Sequence, residues 1–488
     1  MANTQPDASS LGVEAPPFDD GADDTALPAP EEATGPEPQA SFAALPAPFD
    51  DALDAVYDEE GVEDVAAPPF DPSTETGSEI EDPLYEAVAA DDRPVPRINI
   101  HAFMERPETS RLMEEAAADR RLSRAHVTIQ MGGIPAAAEH FQETPTPNLI
   151  IVETVGRGSD IFGSLDALAD VCDASTRVIV VGAVNDIAIY RELIRRGISE
   201  YVVAPRSPMQ LIHSIAALYV DPSAPPVGRA IAFFGARGGV GSSTISHNVA
   251  WAFAEKHKVE TTIIDFDLAF GTAALDFNQD SGQGICEALY SPERLDDVLL
   301  DRLLTKCSDY LNLFAAPSVL DRDYPTDAGA FETVVDVVRQ ATPFAVLDLP
   351  HQWSDWTKRL IMTADQVVLT ATADLASLRN TKNMFDLIVA ARPNDPAPLI
   401  VLNQLGAPKR PEIPLKDFAE ALGAEPSFSL PWDPQLFGTA ANNAMTIMEV
   451  NARNKASETL EEMAQLLSGR DQGSKKGSSL LGRLLGKS

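Results

Sequence analysis

Cysteine is scarce. Cys172, Cys286 and Cys307 are the three in 488 residues, far apart and with no CxxC or nearby histidine. That excludes a disulfide framework or a zinc cluster and predicts a reducing compartment. No apolar run approaches the ~18 residues of a membrane-crossing helix. The acidic start lacks the positively charged segment of a secretory signal, so a cytoplasmic protein is expected. Lysine and arginine are missing from residues 1–92, which hold 25 Asp or Glu. Of the formal charge of −37, this leaves 49 acidic against 37 basic residues beyond the arm, a net of −12. Proteins that hold DNA by its phosphates carry a basic patch, so nucleic acid is not expected as a partner.

What the chain does have begins with an acidic arm. Residues 1–95 are rich in Pro, Ala, Asp and Glu, with single apolar residues at no helical or strand period, which predicts disorder. A short pattern recurs as Pro17-Phe18-Asp19-Asp20, Pro48-Phe49-Asp50-Asp51 and Pro69-Phe70-Asp71. It reads either as docking points for a partner or as a compositional accident in a solubilising tail.

Residues 97–220 alternate short apolar runs with helical patterns. The runs are Ile98–Ile100, Val127–Ile129, Leu149–Val152, Val178–Val181 and Tyr201–Val203. Five strands with helices between them predict a parallel, doubly wound sheet. The last two strands, in RVIVVGAVND and SEYVVAPRSPMQLIHSI, resemble the end of a response-regulator receiver domain. The resemblance puts Glu153 at the phosphate-accepting Asp, His101-Ala102 at the acidic pair, Ala183 at the hydroxyl residue and Ala204 at the lysine. With each chemical position replaced, phosphorylation is not expected. Glu153 then either locks an active-like surface or leaves a docking and dimerising module; the second is favoured. Residues 221–227 follow as a stiff proline linker.

Residues 228–470 are organised around RAIAFFGARGGVGSSTISHN, a strand, a glycine loop and a helix start. Loop amides and the positive end of a helix dipole then face one small volume, which is a phosphate site. The standard loop is GxxxxGK[ST]. Here Ala236 stands at the first glycine and Ser242 at the lysine, Ser243 keeps the hydroxyl for magnesium, and Arg237 supplies an early cation. TTIIDFD ends in Asp265 and Asp267, and FAVLDLP carries Asp348; two acidic strand ends after a glycine loop point to a metal site.

This loop resembles the deviant phosphate loop of the ParA/MinD family, KGGxGK[ST]T. The resemblance implies ATP and Mg2+ as cofactors, cradled by Gly238, Gly239, Val240, Gly241, Ser242, Ser243 and Thr244. It implies metal-shell roles for Ser243, Asp265 and Asp348. Asp267 would orient the attacking water, and Arg237 would reach the phosphates across a homodimer. Asn403, Pro431 and Asp433 would form the base pocket. Pro350-His351-Gln352-Trp353 replaces a small, glycine-bearing switch.

A receiver-like unit without its chemistry, joined to such a domain, resembles the CpaE/TadZ family of Flp (tight-adherence) pilus assembly proteins. GARGGVGSSTISHN, IDFDLAFGTAALDF and PWDPQLFGTAANN carry the match. It implies an α/β protein that acts at the cell pole or the inner face of the inner membrane. Its partners would be the pilus secretion machinery and polar landmark proteins. ATP would be held, with hydrolysis weakened by loss of the lysine; the alternatives are a MinD-like ATPase cycling on a membrane and a partitioning ATPase. The tail 471–488 places Leu480, Leu481, Leu484 and Leu485 on one helical face among basic residues. It reads either as a short membrane contact or as a frayed end.

Overall fold

The structure is a computed structural model. It describes residues 95–469 apart from 157–158, 220–226, 281, 283, 321–322 and 325–326. The acidic arm with its Pro-Phe-Asp copies, most of the proline linker and the basic tail lie outside the described residues. All described residues belong to one unit, 80–488.

The first sheet is built from β1 (Asn99–Met104), β2 (His126–Met131), β3 (Leu149–Thr154), β4 (Arg177–Gly182) and β5 (Glu200–Val203), in the order β2-β1-β3-β4-β5. Its pairs are all parallel. Both faces of a parallel sheet are covered by crossover helices, so its strands read as continuous apolar runs. Successive residues still part to opposite sides: Leu149 and Ile151 join one core, Ile150 and Val152 the other.

The second sheet has eight strands. They are β6 (Arg229–Gly235), β7 (Thr261–Asp265), β8 (Thr305–Lys306), β9 (Leu311–Phe314), β10 (Phe344–Leu349), β11 (Gln366–Ala371), β12 (Leu399–Leu405) and β13 (Phe428–Pro431). The order is β13-β12-β11-β6-β10-β7-β9-β8, with only the β8–β9 pair antiparallel. Ala230, Ala232 and Phe234 of β6 face one core, Ile231 and Phe233 the other. Stacked rings close each side, Phe331 on Trp356 at 4.2 Å and Phe253 on Phe344 at 4.5 Å. A doubly wound α/β architecture with two parallel sheets is thus as expected.

Two local expectations are corrected. His101 and Ala102 do not follow β1 but sit within it, and the loop after the strand begins at Glu105-Arg106. The polar residue that interrupts the apolar run is accommodated by a ring cluster, with His101 5.7 Å from Phe141 and 5.6 Å from His140. The strand TTIIDFD stops at Asp265, leaving Asp267 in the following loop.

The two sheets meet through charge. A short 3-10 turn, Arg120–Leu122, carries Arg120 onto Asp395 (2.7 Å) and Asp365 (3.1 Å), and Arg121 onto Asp395 (2.7 Å). Asp365 also accepts from Arg339 (2.8 Å) and from the backbone N–H of Ala230 (2.7 Å), at the root of β6. Asp395 takes Arg392 as well, at 2.9 Å. Burial opposes the Asp395 charge, but the hydrogen bond and charge of Arg120, with Arg392 and Arg121, hold its carboxyl down at about 2. The sign follows from that depression. The stabilisation is present above the unfolded carboxylate value near ~4 and is lost as pH falls toward 2.

Removing one partner of a buried ion cluster strands the rest. Asp365→Ala is expected to cost about 3–5 kcal/mol of unfolding free energy in urea titration. The exposed Asp309→Ala should cost almost nothing. Equal stability of the two variants would show that the cluster does not hold the junction.

Candidate functional site

The glycine loop leaves β6 at Gly235 and enters the helix Ser242–Trp251. Gly239 and Gly241 sit at φ 79° and 91°, where a side chain is strained. Gly241 is constrained twice, because a Cβ there would fall 2.5 Å from Asn403 Nδ2. Around Gly238 and Gly239 nothing lies within 4 Å of such a Cβ, so that side of the loop is open.

The loop's carbonyls are tied back. Asn380 Nδ2 donates to Ala236 O (2.8 Å), Gln404 Nε2 to Gly239 O (2.9 Å) and Asn403 Nδ2 to Val240 O (2.8 Å). In a trans peptide the C=O and the next N–H point in opposite directions. Holding these three carbonyls therefore turns the N–H groups of Arg237, Val240 and Gly241 the other way. Ser242 Oγ is buried and has no hydrogen-bond partner among the described residues.

Below the loop, Asp265 and Asp348 are register partners at the ends of β7 and β10. Both are buried. Asp265 accepts the N–H groups of Asp267 (3.1 Å) and Ala273 (3.1 Å). Burial, and then the charge of Asp348, push its carboxyl well above the ordinary range. A Cβ on Gly271 would overlap the Asp265 carboxylate, so only glycine fits there.

His247 was not singled out by sequence reasoning. It lies four residues beyond Ser243 on the same helix, completely buried, with Nδ1 2.7 Å from Asp276 Oδ2 and Nε2 3.1 Å from Asp348 Oδ2. Burial alone would lower its pKa. The hydrogen bonds and charges of Asp276 and Asp348 outweigh that and raise it to about 10. Its i+4 spacing from Ser243 was the signal available, since residues four apart share a helix face. With Oδ2 of Asp348 on His247, Oδ1 remains buried and unpartnered.

The remaining expected residues are distributed unevenly. Asp267 is half-buried, accepts the Phe270 N–H (3.2 Å), and burial raises its pKa. Arg237 is half-exposed and reaches Asp374 (3.1 Å) and Thr372 (3.4 Å) rather than pointing into the loop. Asn403 is at the loop, bracing it. Asp433 caps its own helix through Leu436 N–H (2.9 Å) and takes Asn454 Nδ2 (3.1 Å). Among the described residues neither Asp433 nor Pro431 hydrogen-bonds to the loop. Thr244 carries the helix forward, its carbonyl accepting Asn248 Nδ2 at 2.8 Å.

These residues fit a magnesium-bound phosphate chain. Three amides are turned away from the bracing side chains, and among the described residues Ser242 Oγ and Asp348 Oδ1 are buried with no hydrogen-bond partner. Among the described residues no cluster of three or more His, Cys, Asp or Glu could ligate a metal directly. Asp348 and Asp265 would therefore act on an ion through water, with Ser243 as the nearby hydroxyl.

In the smaller sheet Glu153 ends β3 and is fully buried. Its carboxylate accepts the N–H groups of Glu105 (2.8 Å) and Arg106 (2.9 Å), Arg106 Nε (2.6 Å) and Thr109 Oγ1 (2.7 Å). Burial works against its charge, but these bonds outweigh it and hold the pKa low. Four donors, one of them the Arg106 guanidinium, occupy both oxygens, which leaves no place for a metal or a phosphoryl group.

Replacing His247 with leucine strands two carboxylates that now share its protons. His247→Leu is expected to lose about 3–5 kcal/mol of stability at neutral pH, read by thermal or urea unfolding. A variant as stable as the parent would remove the ion triad from the account of the site.

No family model matches the chain. It is 53% identical to a crystal structure of the pilus assembly protein CpaE from Caulobacter crescentus, covering 26% of this chain and 98% of that one, with a TM-score of 0.26. It is 33% identical to a putative CpaE2 pilus assembly protein from Sinorhizobium meliloti, over 25% of this chain and 98% of that one, with a TM-score of 0.24. Among curated relatives it is 28% identical over 173 residues to an uncharacterised protein of Mycobacterium tuberculosis, and 24% identical over 165 residues to the septum site-determining protein MinD of Escherichia coli. Those matches take in 34% of this chain and span 46% and 60% of the two relatives. The family assignment rests on the identity to the two pilus proteins, each matched over almost its whole solved length. The chain belongs to the CpaE family of pilus assembly proteins.

Proposed function

We propose that this chain is an ATP-binding pilus assembly and localisation factor, a nucleotide-dependent dimeric scaffold with weak or absent hydrolysis. The observation that carries this is the set of tied-back carbonyls beside a buried, unpartnered Ser242 hydroxyl. Such a cradle holds phosphate oxygens through backbone amides alone. Phosphoryl transfer asks for more, since it depends on positioned positive charge. Ser242 supplies none, and Arg237 is engaged with Asp374. Arg237 would leave Asp374 to meet a second copy's phosphates, its bidentate fork taking the part of an early lysine.

The scaffold would act at the inner face of the inner membrane or at the cell pole, with the pilus secretion machinery and polar landmark proteins as partners. No described helix is long and apolar enough to cross a membrane. The second reading, an ATPase cycling on a membrane, is favoured by one observation: Asp265 and Asp348 are retained at the strand ends, and Asp267 in the loop just after β7.

Calorimetry with Mg-ATP tests the first reading. Heat of binding is expected for the parent chain and none for Gly241→Val, whose side chain would collide with Asn403. Ser242→Lys should tighten binding by about tenfold, or about 1.4 kcal/mol. Turnover of the parent should be no greater than that of Asp267→Ala. Turnover that this substitution abolishes would replace the scaffold by the cycling enzyme, and an absence of heat would remove the nucleotide altogether.

A further inference from the structure

Beside the Asp365–Asp395 cluster the two sheets leave an open cleft of ≈ 980 Å³. Six Arg or Lys residues line it against three acidic ones, Glu332, Asp336 and Asp355. This is a basic recess in a chain of net charge −37. Its inner cations are neutralised within the fold: Arg120 and Arg392 by Asp395, Arg124 by Asp336. Of its outer ones, Arg359 pairs with Asp355 at 3.3 Å. Arg97 and Lys358 are exposed and form no ion pair with any described residue. Ala118, Met362 and Ala391 add apolar lining.

The chain enters at this mouth. Val95 is buried, with its N–H on Arg121 O at 2.8 Å, and the next two residues, Pro96 and Arg97, line the cleft. Ninety-four residues precede it. The stretch immediately before, residues 81–92, carries Glu81, Asp82, Glu86, Asp91 and Asp92 with no Lys or Arg, and offers Leu84, Tyr85 and Val88 as apolar contacts. Asp92 stands three residues from Val95, so the chain cannot carry it more than about 11 Å away. A tether that short gives an effective concentration on the order of millimolar, which an acidic partner in solution would have to exceed.

We propose that the cleft between the sheets is the seat of the chain's own acidic segment 81–92, its carboxylates on Arg97 and Lys358. The segment then straps the seam that the buried ion cluster closes from within. The proposal draws on the junction alone and stands whether or not nucleotide binds.

Lys358 allows a direct test. A carbodiimide joins a lysine amine to a carboxylate only when the two are already in contact. Treatment of the full chain at low concentration, followed by peptide mapping, should join Lys358 to a carboxylate within 81–92. The yield should be unchanged on dilution, and should fall several-fold at about 1 M salt, where the screening length drops to about 3 Å. Glu86→Gln, Asp91→Asn and Asp92→Asn together should remove most of the product while leaving the melting of the folded part intact. Lys358 recovered unmodified, or joined only to Asp355 or Glu332, would overturn the proposal. So would coupling that fades on dilution, which would place the segment of a second copy in the cleft.

Discussion

Two buried carboxylates on neighbouring strands set the terms for the larger sheet. Asp265 and Asp348 face each other in register at the ends of β7 and β10, where apolar residues would cost nothing. Each buried charge instead demands compensation. The fold answers with two backbone amides on Asp265, a glycine at 271 that lets the chain come close enough, and a histidine from the neighbouring helix on Asp348. The helix that carries His247 is the same helix that begins at the glycine loop. Loop and carboxylates are therefore positioned by one element, and neither can move without the other. Compensation of this extent, with one oxygen still left bare, is what a site requires and a core does not.

The sheet uses its two ends differently. At the C-terminal ends of the strands lie the loop and the carboxylates, in the usual ligand position of an open α/β sheet. At the opposite ends, arginines from the smaller sheet reach Asp365 and Asp395. Strand β6 joins the two: Asp365 holds the N–H of Ala230 at its root, and His351 lies 2.9 Å from the carbonyl of Gly235 at its tip. The smaller sheet is thus fastened to the end of the larger one that faces away from the loop. Its own strand-end carboxylate, Glu153, is saturated by neighbours.

Much of this was legible in the chain because the signals were local. The apolar runs of β3, β6 and β10 gave their strands, and RGGVGSST gave the loop with its flanks. The strand ends at Asp265 and Asp348 followed from order alone. What escaped depended on distant pairing. His101 broke an apolar run, and only its ring neighbours His140 and Phe141 explain why β1 continues to Met104. His247 looked like one polar residue among several in SSTISHN, and its meaning lies in Asp276 and Asp348, 29 and 101 residues away. Arg120 and Arg121 carried no signal of their own, and their meaning lies in Asp365 and Asp395, more than 240 residues away. Asp433 went the other way: a residue given a place in the base pocket is engaged in capping a helix, a role any strand-end aspartate can take.

The exchange of lysine for serine at 242 separates two requirements that are usually met together. Holding a phosphate chain needs donors at fixed points, and backbone amides braced by Asn380, Asn403 and Gln404 remain fixed whatever side chain follows. Moving a phosphoryl group needs charge that meets the charge developing in transfer, and an amide carries only a fraction of a unit. A neutral hydroxyl at the lysine position is compatible with the first and supplies no charge for the second. Arg237 cannot restore it within a single chain while it is paired with Asp374 and half-exposed to solvent. Any recovery of catalytic charge would have to come from a second copy or a partner. On this ground a loop of this kind suits a protein whose output is an assembled state rather than a rate of turnover.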